Sequence, residues 1–165
     1  MKKNSWYLIF IPIVVVVLDQ LAKFCVLENI ELYNSLTLIP RLLSITNVVN
    51  SGVIFGLFLQ NNNAIVIVSL ILICAIGCWR FLLYKGKIKP QILSTLTNVA
   101  LLLIIGGAIS NVADRIFRLY VVDYISLDFL NFPIFNIADI AITLGTVLLI
   151  WEILFSSQRS VVGNQ

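Results

Sequence analysis

The sequence contains no histidine. That absence removes the Ser-His-Asp and Cys-His nucleophile systems and the HExxH zinc site together. Charge is scarce as well: 12% of residues are Asp, Glu, Lys or Arg, while 60% are hydrophobic. A soluble domain carries about a quarter charged residues, so the composition argues against one. Disorder is excluded by the same figures, because it requires low hydrophobicity and high net charge. Three cysteines cannot staple 165 residues into a disulfide scaffold. A net charge of +3 is too small to point to nucleic acid, and none is expected as a partner. Internal repeats and low-complexity tracts are missing too.

What is present is apolar length. Four segments, about 6–24, 64–83, 92–113 and 134–155, are long enough to cross a hydrocarbon core of ~30 Å as helices at ~1.5 Å per residue. The first resembles a secretory signal, with Lys2 and Lys3 ahead of it. It is long, however, and no A-x-A site follows, so it reads as a permanent span. Lys2, Lys3, Arg80, Lys85, Lys87, Lys89 and Arg159 all fall on one side of this arrangement, which places that side and both termini in the cytoplasm. The acids Glu28, Glu31, Asp114, Asp123 and Asp128 gather in or beside the outer segments, and Asp19 and Asp139 near the outer ends of spans. Carboxylate chemistry is therefore expected at the outer face. The expected fold is an α-helical polytopic membrane protein: one membrane-embedded domain over 1–165, four transmembrane helices, and a small extracytoplasmic β-sheet between helices 1 and 2.

The sheet is read from the first outer segment, about 25–63. Leu36-Thr37-Leu38 and the run from Leu43 to Val48 alternate apolar and polar residues, the period of half-buried strands, with a turn at Pro40-Arg41. In the second outer segment, about 114–133, Val121 to Ile125 reads as a short strand carrying one acid, Asp123. The stretch Phe129 to Pro133 is aromatic, as at a lipid interface. Cys74 and Cys78 lie four apart within the second span. With no other soft ligand nearby they read as small apolar residues, and no metal or cofactor is expected.

Ionisable groups in a membrane helix cost ~2.5–3.5 kcal/mol each on insertion scales, so each needs a reason. Asp19 and Lys23, four apart, share a helix face and form an ion pair, which either braces the helix or orients a neighbouring site. Asn111, Asp114 and Arg115 close the third span, either as a polar helix end with an Asp–Arg pair or as part of a site. Gly106-Gly107-Ala108 precedes them and permits close helix packing. Asn136 and Asp139 open the fourth span. The pair suits an N-cap with an acid at the positive end of the helix dipole. Asp123 has no evident cationic partner in sequence. Two carboxylates brought together at a partly desolvated surface cannot easily both ionise, so they supply a general base and a general acid at once. The rival arrangement is a serine–lysine pair, Lys23 with Ser51 or Ser110, in which Asp19 would hold Lys23 charged and a poor base.

Five stretches in order resemble bacterial lipoprotein signal peptidase (signal peptidase II): Asp19 to Lys23, Asn50 to Gly56, Gly106 to Arg115, Val122 to Ile125, and Phe135 to Asp139. The resemblance implies that Asp123 and Asp139 are the catalytic aspartates. It implies that Asn50, Asn111, Asp114, Arg115 and Asn136 line and order the site, with Asp19 and Lys23 in support. It also implies four helices with a small sheet that cradles a prolipoprotein whose cysteine already carries diacylglycerol, cut just before that cysteine. Val53 and Ile54 stand where the family usually has small residues, Ser110 where it has Gly, and Tyr124 where Phe is more common. The partners implied are lipid-modified prolipoproteins and membrane lipid, and a complete set of motifs in one chain suits a monomer. A proton-coupled carrier could also use paired acids, but it would usually show repeats or helices broken at mid-membrane. A membrane scaffold would leave Asp123 unexplained.

Overall fold

The computed structural model describes Leu8 and residues 10–51, 62–84 and 94–162. The chain runs α1 (Phe10–Asn29), β1 (Ser35–Ile39), β2 (Leu43–Asn50), α2 (Asn62–Tyr84), α3 (Thr95–Phe117), β3 (Val121–Leu127) and α4 (Ile137–Val162). Three stretches, Phe10–Asn29, Thr95–Phe117 and Ile137–Phe155, are long and apolar enough to cross a membrane, and α2 adds a shorter apolar stretch, Asn63–Trp79. Apolar segments of this length form helices because lipid offers no partner for backbone N–H and C=O groups. Trp6, Lys2, Lys3, Val53, Ile54, Phe55, Phe58, Lys85, Lys87 and Lys89 lie outside the described residues, as do the side chains of Arg80 and Arg159.

The helix limits differ from those read in sequence. Helix α1 does not end near Phe24 but continues to Asn29. Val26 is buried against Val122 and Tyr124, so the added turn is held by the sheet. Asp19 and Lys23 therefore sit well inside the helix and not near its end. Helix α3 begins at Thr95 behind a Ser94 cap, whose hydroxyl accepts from the Thr97 amide at 3.1 Å, and ends at Phe117, so Asp114 and Arg115 are helical. Helix α4 begins at Ile137, after Pro133 and the Asn136 cap, and runs to Val162.

The sheet has three antiparallel strands in the order β1-β2-β3. The turn between β1 and β2 holds Arg41 at φ 62, the left-handed region. The expectation of a sheet built between the first two helices is corrected in one respect: its third strand comes from between α3 and α4. Strand β3 supplies fully apolar Val121 and Val122, 2% and 0% exposed, which find cover only by joining β2 above the helices. That pairing sets Val48 opposite Asp123 and Asn50 opposite Val121. Two strands far apart in sequence thus deliver Asn50 and Asp123 to one place.

Close packing below the sheet depends on glycine. A Cβ at Gly106 would lie 2.8 Å from the Pro12 Cα of α1, and one at Gly107 would overlap the Ala138 carbonyl of α4. At Gly145 it would lie 2.5 Å from the Ala100 carbonyl of α3. Helices α1, α3 and α4 are thereby drawn together under the sheet, while α2, among the described elements, packs on α3 alone.

Candidate active site

Asp139 stands in the first turn of α4, where Asn136 and Asp139 cap each other. The Asp139 amide donates to Asn136 Oδ1 at 2.9 Å, and the Asn136 amide donates to Asp139 Oδ2 at 3.3 Å. The reciprocal bonds satisfy two orphan donors of the helix end, so the capping expectation holds. The same Asn136 also reaches the other carboxylate: its Nδ2 donates to Asp123 Oδ1 at 2.7 Å. Asn50 Nδ2 donates to Asp123 Oδ2 at 2.9 Å, and Asn111 Nδ2 donates to Asp139 Oδ1 at 2.8 Å. Three asparagines from β2, α3 and the α4 cap therefore hold two carboxylates from β3 and α4.

Asp123 is 4% exposed, and Asp139 is half-buried. Burial pushes the Asp123 carboxyl up from the ordinary 3.8 to about 6, and the charge of Asp139 adds to the rise. The Asn50 and Asn136 donors and the Lys23 charge oppose it. Tyr124, the next residue on β3, is pushed up as well, first by burial and then by the charge of Asp19.

Beneath the carboxylates lies a buried layer of paired charges. Lys23 Nζ lies 2.6 Å from Asp19 and 2.7 Å from Asp114, and all three side chains are fully buried. Lys23 also donates to Asn111 Oδ1 at 3.0 Å. The Asp19–Lys23 pair expected from spacing is present. The expected Asp114–Arg115 pair is not: Asp114 pairs with Lys23 and with Arg118, one turn on, while Arg115 donates to the Asn111 carbonyl at 3.2 Å. Neighbours on a helix point apart, whereas positions four apart share a face. Arg115 still lies within electrostatic range of Asp123, Asp139 and Asp114, and its Nε is buried without a partner.

No serine–lysine pair forms among the described residues. The ammonium of Lys23 faces three acceptors, which use its three protons. The Ser110 hydroxyl donates to Asp19 Oδ2 at 2.6 Å, and Ser51 is exposed. Sequence reasoning passed over Gln20 and Arg118. Gln20 Nε2 donates to Asp114 Oδ1 at 2.9 Å and to Ser110 Oγ at 3.0 Å, and Arg118 donates to Gln20 Oε1 at 3.0 Å. A polar amide inside an apolar span and an arginine four residues after Asp114 were the available signals. Asp19 reaches further, accepting from the Ala138 amide at 3.1 Å, and so anchors the start of α4.

Beside Asp139 opens an apolar cavity of about 280 Å³, lined by Phe132, Phe135, Ile140, Thr143 and Leu144. Phe132 and Phe135 meet edge to face at 5.7 Å. A larger cavity of about 690 Å³ lies between α1 and the sheet and is lined by Tyr124. Successive strand residues face opposite sides, which leaves Asp123 away from it. Cys74 and Cys78 are free and exposed on α2.

This arrangement brings two carboxylates from different elements onto one asparagine, Asn136. Residues 11–155 match the family model described as Signal peptidase (SPase) II. A lipoprotein signal peptidase from Lactobacillus johnsonii is 36% identical over 157 residues, covering 95% of this chain and 97% of its own. Another from Fusobacterium nucleatum is 36% identical over 159 residues, covering 96% and 93%. A solved bacterial membrane enzyme superposes with a TM-score of 0.81 at 29% identity, covering 94% of this chain and 92% of its own. With the motif order, the three asparagines and both carboxylates in place, these matches establish that the chain belongs to the signal peptidase II family.

Proposed function

We propose that the chain is a membrane aspartic endopeptidase that removes the signal peptide from diacylglyceryl-modified prolipoproteins, cutting just before the lipidated cysteine. The observation that carries this reading is the pair Asp123 and Asp139, brought together from β3 and α4 and both bonded to Asn136. One carboxylate takes a proton from water as its oxygen attacks the scissile carbonyl. The other, protonated, polarises that carbonyl. Collapse of the tetrahedral intermediate breaks the C–N bond, and a carboxyl proton goes to the leaving amine. The signal peptide leaves with a new carboxyl group and the lipoprotein with a free amine on its cysteine.

Three further features support the setting. The basic residues read in sequence support an orientation with both termini in the cytoplasm and the sheet end of the bundle at the outer face. Phe129 and Phe132 are exposed, at 56% and 58%, and Phe132 lines the apolar cavity, where acyl chains of a modified cysteine would lie. All site residues come from one chain, which suits a monomer. The carrier reading has no comparable support: Asp19, Asp114, Asp123 and Asp139 gather toward the sheet, and Glu152 is the one buried acid away from them among the described residues.

Lipid dependence tests this reading. Purified protein in lipid vesicles is expected to cleave a diacylglyceryl precursor and to leave the same precursor with a bare cysteine intact. Each buried CH₂ contributes ~0.8 kcal/mol, so two acyl chains dominate recognition. Equal cleavage of both at matched membrane concentration would contradict it.

A further inference from the structure

Each amide around the carboxylates must choose which end faces an aspartate, and an amide can be turned either way unless its partners decide. For Asn136 the backbone decides. The Asp139 N–H can only donate, so it takes Oδ1 and sends Nδ2 to Asp123. For Asn111 no backbone group among the described residues does this. Its Oδ1 instead faces Lys23 Nζ at 3.0 Å, and an ammonium can only donate. The Asn136 Nδ2, also a donor, lies 3.3 Å from the same oxygen. With Oδ1 engaged, Nδ2 is turned to Asp139 at 2.8 Å.

We propose that Lys23 is a positioning residue for the reaction: through Asn111 it fixes an N–H, and not a carbonyl oxygen, against Asp139. This inference rests on the aspartic reading above. An amide oxygen in that place would repel an ionised carboxylate and accept a bond only from a carboxylic acid. Lys23 thereby favours the ionised form of Asp139, while burial raises the proton affinity of Asp123 against the N–H groups that Asn50 and Asn136 turn to its two oxygens. Asp19 and Asp114 contribute by holding the ammonium in place from the far side, at 2.6 and 2.7 Å.

The test is a double-mutant cycle between Lys23→Met and Asn111→Ala, read in kcat and KM on a diacylglyceryl precursor, with thermal unfolding measured alongside. Lys23→Met should lower kcat about tenfold in the wild-type background, the lower range for a hydrogen bond to a charged group, with KM little changed. In the Asn111→Ala background it should lower kcat no further. A purely structural lysine would damage both backgrounds equally, and that result would overturn the proposal. If Lys23→Met fails to fold, Lys23→Gln decides. Its amide N–H can still donate to Asn111 Oδ1 but no longer forms the ion pairs with Asp19 and Asp114. It should keep kcat within about threefold while losing thermal stability, and a larger loss of kcat would overturn the proposal. Asp139→Asn separates the two levels. Turnover by that variant would remove the aspartic reading itself, whereas an inactive Asp139→Asn with an additive cycle would remove only the role of Lys23.

Discussion

Helices α2 and α3 have the same length, 23 residues, and both are apolar enough to sit in lipid, yet they have opposite relations to the rest of the molecule. Helix α3 touches α1, α2, α4 and β3, and it buries Ser110, Asn111 and Asp114. No described side chain of α2 is buried, and among the described elements its one neighbour is α3. The difference lies in polar residues and glycines, not in hydrophobicity. In lipid, apolar surface gains nothing by facing another helix, so association falls to close packing and hydrogen bonds. Helix α3 has Gly106 and Gly107 for the first and a line of polar side chains for the second. Helix α2 has Gly77 with nothing within 4 Å of its position. Polar content marks the core of this protein, the reverse of the rule for a soluble domain.

Proton binding should expose this contrast most strongly. The Asp123 carboxyl is raised from 3.8 to about 6 in the folded protein. Its protonated form is thus favoured by folding. The stability it contributes is fully present below about pH 3.8 and lost as pH rises through about 6. At 1.36 kcal/mol per unit the change is about 3 kcal/mol. Unfolding in detergent, followed between pH 4 and 7, is expected to show this fall, and Asp123→Asn should flatten it. On the proposed aspartic mechanism the same ionisation removes the catalytic acid, so kcat/KM should decline as pH passes about 6. A flat profile in both measurements would mean that Asp123 is solvated like a surface acid.

Glycine substitution compares the two helices directly. Gly107→Ala would press a methyl group into the Ala138 carbonyl, next to Asp139, and should cost about 1–3 kcal/mol and reduce turnover. Gly77→Ala meets open space and should stabilise α2 by roughly 0.5–1 kcal/mol with turnover unchanged. Thermal unfolding and initial rates on both variants check the pair. Equal costs would show that α2 is packed as tightly as α3.

The sequence was informative where chemistry is local. Alternation at Leu36–Leu38 and Leu43–Val48 placed β1 and β2, the spacing of Asp19 and Lys23 placed their ion pair, and Asn136 before Asp139 announced a cap. It was silent where long-range pairing decides. Nothing in Val121–Leu127 says that this strand joins β2, because strand partners are chosen by cover and not by local pattern. The same limit hid Gln20 and Arg118, whose partners lie in other elements or one turn along α3. Hydropathy also misjudged the ends of α1 and α3, since Val26 and Asp114 stay helical only because the sheet and Lys23 engage them.

The most direct test of the site is the loss of either carboxylate. Asp123→Asn and Asp139→Asn, each purified in folded, membrane-inserted form, would be assayed for cleavage of a diacylglyceryl prolipoprotein. The amide keeps the size of the side chain and can bond the neighbouring asparagines, but it cannot take a proton from water or share one. Each variant is expected to lose at least ~10²-fold in turnover, the lower range for a general acid or base. Near-full turnover by either would contradict the account, because cleavage would then proceed without the pair that the sheet and α4 bring together.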